Sequence, residues 1–217
     1  MNNRLEKITV ILLAMILFVV VFNAFQMSQF KDGGIKTPIK SYPIPSSPIA
    51  DTNPKSDIAA SGIDVIPKGV PAIYGGELGV GYDDVSSADQ KKADSTINKL
   101  GALDRQIVLS GKDKERYISI ASQISCEYCC GVDSIIFKDG SAACGCAHSF
   151  AMRGIAKYLI KNHATEFTDD EILEELGKWK TLFFPANIAK KASVLKGKGI
   201  ELNYINLASN KYRGIEV

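Results

Sequence analysis

Between Lys7 and Gln26 the chain runs for eighteen residues, Ile8 to Phe25, without a charge, and only Thr9 and Asn23 interrupt the apolar side chains. A soluble helix keeps a polar face for water, and this stretch has none to offer. Wound as an α-helix it would be roughly 27 Å long, close to the hydrocarbon thickness of a thin bilayer, with its backbone hydrogen bonds satisfied internally. A cleaved signal peptide has an apolar core of only ~7–15 residues and ends at a small-x-small site. Here Val21 to Gln26 offers Ala24 among bulky neighbours. The expectation is therefore an uncleaved anchor over residues 8–25, with the lipid bilayer as its partner.

Arg4, Lys7 and the terminal amine precede this span, and Lys31, Lys36 and Lys40 follow it more loosely. Charge counting is nearly balanced, but a tail of seven residues is easily left in the cytoplasm. The reading is a single-pass protein of the cell membrane, with residues 1–7 as a cytoplasmic tail and the C-terminal body extracytoplasmic.

Seven of the eight prolines fall between Pro38 and Pro71, and Gly33 and Gly34 lie just before them. Proline cannot continue a helix and removes donors from a sheet, so residues 26–81 read as a semi-extended stalk. The apolar run Ile63 to Ile66 is the place where part of it could fasten to the domain. Gly75, Gly76, Gly79 and Gly81 do not form a phosphate-cradling loop, because their order, G-G-E-L-G-V-G, is not the dinucleotide fingerprint. The net charge is +2 with no basic block, which argues against nucleic acid as a partner.

From Tyr82 onward the signals are helical, and residues 82–217 are expected to form a small, mainly α domain. Ser86 or Ser87 can cap a helix reaching about Gly101. A second follows Ser110, where Tyr117, Ile120, Ala121 and Ile124 recur at three- and four-residue steps, and it delivers Cys126 near its C-terminal end. A third carries Ala147, Ala151, Ile155, Tyr158 and Leu159 and ends near His163. Thr168 and Glu171 form a capping-box pattern opening a fourth, with Ile172, Leu173, Leu176 and Trp179 on its buried side. Pro185 halts it, a fifth spans about Ala186 to Lys196, and Ile200 to Ile205 is a possible short strand.

All five cysteines lie between Cys126 and Cys146. The fourteen residues between Cys129 and Cys144 include Ile135, Ile136 and Phe137 followed by Lys138-Asp139-Gly140, a hairpin signal that folds the chain back and brings Cys126 and Cys129 towards Cys144 and Cys146. The helical domain is thus interrupted by a cysteine-rich hairpin. Zinc takes four ligands tetrahedrally, and C-x-x-C turns point both sulfurs inward. The C-x-C pair enters a helix, whose N-terminal dipole favours thiolate. Cys126, at a helix C-terminus, would pay for a negative charge that a bound cation relieves. The favoured ligands are Cys126, Cys129, Cys144 and Cys146. Adjacent side chains diverge, so Cys130 is a spare, a second-site ligand or a packed apolar group, and His148, two residues after a thiolate, is a further possible ligand. Two disulfides and one free thiol are the competing use of the same five residues.

The run Ala143-Cys-Gly-Cys-Ala-His148, with Glu127-Tyr-Cys-Cys-Gly131, resembles the cysteine motif of membrane-anchored bacterial and archaeal proteins named for Pro-Cys-Tyr-Cys-Gly-Cys, a family without an assigned function. The likeness covers about a tenth of the chain; the family's proline is missing here and the cysteines are split across two places. It implies a metal-related role and supplies no reaction.

Zinc is the expected cofactor, with copper(I) and an iron–sulfur cluster as alternatives for a thiolate set. A binding protein with a structural or metal-handling role is expected ahead of an enzyme. The enzymatic alternative is a thiol–disulfide oxidoreductase using Cys126 and Cys129, for which the βαβ setting is missing.

Overall fold

A computed structural model describes residues 63–217. The expected tail over 1–7, the anchor over 8–25 and the stalk as far as residue 62 lie outside the described residues. Within those residues no helix is long and apolar enough to cross a membrane.

The described residues are mainly helical and contain no strand. Seven α-helices follow in order: α1 Gly75–Leu78, α2 Gln90–Gln106, α3 Gly111–Ala121, α4 Ala147–Asn162, α5 Asp169–Phe183, α6 Pro185–Gly197 and α7 Tyr204–Ala208. One-turn 3-10 helices stand at Tyr82–Asp84 and Asn210–Tyr212. The 25-residue gap between α3 and α4 holds the whole cysteine segment.

Local chemistry explains most of the helix ends. Asp89, rather than Ser86 or Ser87, opens α2, its carboxylate accepting from the Lys92 N–H at 3.0 Å, while Ser86 Oγ accepts from the Ala88 N–H instead. The helix continues past Gly101 because it meets α4 there. A β-carbon on Gly101 would stand 3.2 Å from Phe150 Cβ, and one on Gly154 of α4 only 2.1 Å from the Leu100 carbonyl oxygen. Glycine on both helices is what lets the two backbones approach. The capping box of Thr168 and Glu171 forms on α5. Phe184 ends that helix, and Pro185 takes the first position of α6, where its missing N–H costs nothing.

Two sequence expectations give way here. Ile200 to Ile205 is not a strand, because no described segment pairs with it. Instead Asn203 accepts from the Asn206 N–H at 2.9 Å and caps α7, which buries Leu207 and Ala208. Residues 63–81, assigned to the stalk, belong to the body: Val65, Tyr74 and Val80 are buried in it. Their attachment is polar at its centre. Trp179 Nε1 donates to the Tyr74 hydroxyl at 2.7 Å, and the Tyr74 and Tyr82 hydroxyls both donate to Glu175 Oε2, at 2.7 and 2.6 Å.

The main core joins α2 to α5 through Leu100, Ile120, Ile124, Met152, Ile155, Leu159, Leu176 and Trp179. A smaller cluster sets Ile188, Ala192 and Leu195 of α6 against Leu207, Ala208 and Val65. The cysteine segment shares in both: Cys126, Ile135 and Ile136 belong to the main core, Cys146 packs against it, and Tyr128 packs against the smaller cluster.

Candidate metal centre

After α3 the chain reverses twice. The expected hairpin forms as an antiparallel bridge between Ile136 and Ala142, with the Phe137 N–H donating to Ser141 O at 2.8 Å and the Ala143 N–H to Ile135 O at 3.1 Å. Asp139 accepts from both the backbone and the hydroxyl of Ser141, and Gly140 takes φ +84. The earlier reversal is centred on Glu127, where φ is +48 and the Tyr128 N–H donates back to the Cys126 carbonyl. A residue with a side chain is rarely found in this left-handed region, so something must hold Glu127 there.

Glu127 is held by charge. Its carboxylate accepts from Lys180 Nζ at 2.9 Å, from Lys191 Nζ at 3.0 Å and from the Gly214 N–H at 2.8 Å. Both lysine side chains are 0% exposed. Burial alone would raise the Glu127 carboxyl, but the Lys180 charge and the hydrogen bonds from Lys180, Gly214 and Lys191 outweigh it and keep it below the usual carboxylate value. Lys180 is lowered by its own burial, with Glu127 and the nearby Cys126 sulfur working to restore it. The C-terminal residues strap the same turn: Tyr128 donates to Glu216 Oε1 at 2.6 Å, and Arg213 reaches Asp133 Oδ1 at 2.6 Å and Gly131 O at 2.8 Å.

On the opposite side, the buried Arg153 of α4 pairs with Asp104 at 2.8 Å and donates through Nη1 to Ile135 O at 3.1 Å and Cys144 O at 2.9 Å. One guanidinium therefore fixes both arms of the hairpin to α4.

These anchors bring all five cysteine sulfurs to within 4.8 Å of one another. Cys130 and Cys144 are bonded as a disulfide, and Cys126, Cys129 and Cys146 are free thiols. Cys144, expected as one of four thiolate ligands, is therefore tied up in this state by Cys130, whose side chain was expected to diverge. Left-handed residues stand on both sides of the adjacent pair, Glu127 at φ +48 and Gly131 at φ +64, and both cysteines reach the cluster. The state is also not the pair of disulfides that formed the competing expectation.

Cys146 is the hub. It is the N-cap of α4, its sulfur accepts from the Ser149 N–H at 3.4 Å, and it lies 3.3 Å from both Cys126 and Cys129. Hydrogen bonds from Cys126 and then Cys129 lower its pKa far below the usual thiol value, with His148 and the Ser149 N–H adding to them against the cost of burial. Cys126 is pushed up by its hydrogen bonding to Cys129 and Cys146 and by burial, and it also meets Ser149 Oγ at 2.9 Å. At Cys129 the Cys126 hydrogen bond lowers the pKa, but the bond to Cys146, burial and the Cys146 charge prevail and push it up to about 11. Of the three thiols, Cys146 is thus the one whose surroundings favour the thiolate, and Cys129 donates to it. The expected helix-dipole cost at Cys126 does not arise, since α3 ends at Ala121; burial supplies that cost instead.

His148 stands beside this group with its ring 4.9 Å from those of Phe183 and Phe184. It is not among the atoms gathered within 4.8 Å. His163 lies elsewhere, between Glu77 and Glu166.

Glu127, Lys180, Lys191 and Arg153 were not picked out from the sequence. A signal exists for the lysines: Lys180 follows Leu176 by four residues and Lys191 follows Ile188 by three, each continuing an apolar face. A lysine in such a register is either at the edge of the core or paired inside it.

Five sulfurs on two reversals can hold a soft cation, and three thiols beside a disulfide can also exchange electrons. Comparison of the chain with protein-family models, curated proteins and solved structures found no match.

Proposed function

We propose that this chain is a metal-binding protein whose ion is zinc, held by Cys126, Cys129, Cys144 and Cys146 when the cysteines are reduced. The observation that carries the reading is the convergence of five sulfurs within 4.8 Å. Four thiolates about 2.3 Å from a tetrahedral ion stand about 3.8 Å from each other, inside that limit. An iron–sulfur cluster interposes several atoms and spreads its ligands further, which favours a single ion. Cys146, at the N-terminus of α4 and 3.3 Å from both Cys126 and Cys129, marks where a cation would neutralise charge, and thiolate ligation releases thiol protons.

The role is metal handling rather than stapling. Small metallo-domains need their ion because they lack a core, whereas here two apolar clusters drawn mostly from the helices supply one. Cys129 and Cys130 are exposed, so the cluster has a side open to exchange. The proposal keeps residues 8–25 as a membrane anchor and the body outside the cytoplasm, and the likeness to the Pro-Cys-Tyr-Cys-Gly-Cys proteins agrees with the anchor. Copper(I) is the second reading, favoured by the three free thiols, since three-thiolate sites suit that ion.

The test is elemental analysis of the full-length protein, purified in detergent under reducing conditions without added metal. One zinc per chain, released when the thiols are alkylated, is the expected result. A metal-free protein that takes up neither zinc nor copper(I), with all its thiols titrating freely, overturns the reading.

A further inference from the structure

The same centre contains a bond that competes with the metal for ligands. We propose that the Cys130–Cys144 disulfide is a reversible gate: a dithiol reductant opens it to complete the metal site, and a disulfide oxidant, taking the two electrons and two protons back by the reverse exchange, dismantles that site. The inference rests on the metal reading above and adds its regulation.

Three observations distinguish this bond from a staple. First, it closes a loop that is already closed. Its ends are fourteen residues apart, and between them the Ile136–Ala142 bridge, the Ala143 to Ile135 hydrogen bond and Arg153 hold the arms together. A cross-link stabilises chiefly by removing freedom from the open chain, and within a hairpin pinned three times over it has little left to remove. Second, the two sulfurs are not equivalent. Cys130 is exposed, while Cys144 is 5% exposed with its carbonyl held by Arg153, so a soluble thiol has one end to attack. Third, the free thiols Cys126, Cys129 and Cys146 lie in the same 4.8 Å group as the bonded pair. Opening the bond therefore raises the number of thiols at one point from three to five, and four suffice for one ion.

The exchange balances as follows. A thiolate of the dithiol attacks Cys130 Sγ; the Sγ–Sγ bond breaks, and its electron pair leaves with Cys144 as a thiolate. The second thiol of the reductant attacks the mixed disulfide and expels Cys130 as a thiolate. The reductant ends as a disulfide, having given two electrons. Its two protons pass to Cys130 and Cys144, or to solvent where a metal ion takes a thiolate.

Cys130→Ser separates the gate from the site, because it removes the bond and leaves Cys126, Cys129, Cys144 and Cys146 in place. Full-length wild type and Cys130→Ser, each reduced and then exposed to oxidised dithiothreitol, are compared for zinc affinity, and their disulfides are mapped by alkylation and mass spectrometry. Reduced wild type should bind one zinc. Oxidised wild type should show the Cys130–Cys144 link, three alkylatable thiols and zinc binding weakened by about a hundredfold or more. Cys130→Ser should bind zinc like reduced wild type and keep that affinity after the oxidant. The gate is overturned if wild-type affinity is indifferent to the Cys130–Cys144 bond, if another pair is linked, or if Cys130→Ser loses zinc to the oxidant as readily as wild type. Should reduced wild type take up neither zinc nor, when it is offered instead, copper(I), the gate and the metal reading fall together, whereas uptake that ignores the disulfide removes the gate alone.

Discussion

The helical body and the cysteine segment between α3 and α4 are held by different forces. In the body, apolar side chains recur at helical steps and glycines allow the backbones to touch, as where Gly154 meets Leu100. In the cysteine segment there are two isolated bridges and no helix, and the backbone is positioned by buried charge: Glu127 between Lys180 and Lys191, and Arg153 on the carbonyls of Ile135 and Cys144. Apolar burial is non-directional and tolerant of small shifts, which suits a scaffold. Charged hydrogen bonds fix direction, which suits a centre whose sulfurs must converge. Each lysine and the arginine come from body helices, so the scaffold reaches the site through a few long side chains.

The largest expected effect comes from breaking that reach. Glu127→Gln preserves shape but leaves the Lys180 ammonium buried without its carboxylate and Lys191 with Glu216 alone, a defect worth about 3–5 kcal/mol. Urea unfolding should show the loss. Because Glu127 also holds the left-handed turn between Cys126 and Cys129, zinc affinity of the folded variant should fall as well. Unaltered affinity would mean that charge does not position this segment.

The contrasting variant lies in the body. Tyr74→Phe removes the acceptor of Trp179 Nε1 and one donor to Glu175, leaving a buried indole N–H without a partner, at a cost of about 1–3 kcal/mol. Stability should fall while the zinc affinity of the folded protein stays where it was. If the two variants weaken zinc binding equally, the division between scaffold and site is wrong.

The same division explains what the sequence could say. Helices α2 to α6 were legible because their apolar periodicity is local, and the hairpin was legible because Lys138-Asp139-Gly140 is a turn by its own chemistry. The gathering of the cysteines followed from that hairpin. What stayed hidden depends on partners distant along the chain. Ile200 to Ile205 has the composition of a strand, but Asn203 caps a helix that Gly177 makes room for, its would-be β-carbon standing 2.6 Å from the Tyr204 carbonyl oxygen. The inclusion of residues 63–81 in the body depends on Tyr74 finding Trp179 and Glu175. The Cys130–Cys144 bond lies in a segment whose turn at Glu127 is held by two lysines more than fifty residues later.

The smallest expected effect sharpens the comparison from the scaffold side. Glu171 closes the capping box of α5, the helix that carries Lys180, and its carboxyl is held below the usual value by the Thr168 N–H and then by the Thr168 hydroxyl. Since the folded state favours the ionised form, this contribution is fully present above the unfolded value of about 4.3 and is lost as pH falls through the lower, folded value. Glu171→Gln retains an acceptor for the same N–H and has no proton to gain. Urea midpoints of wild type and Glu171→Gln should therefore differ slightly at neutral pH and converge in acid, with wild type the more stable before convergence. A gap that widens in acid would reverse the sign and remove the cap as its cause. Zinc affinity at neutral pH should be the same in both, because a loosened first turn of α5 lies three turns away from Lys180 and the ion pair with Glu127 holds the far end of the helix in place.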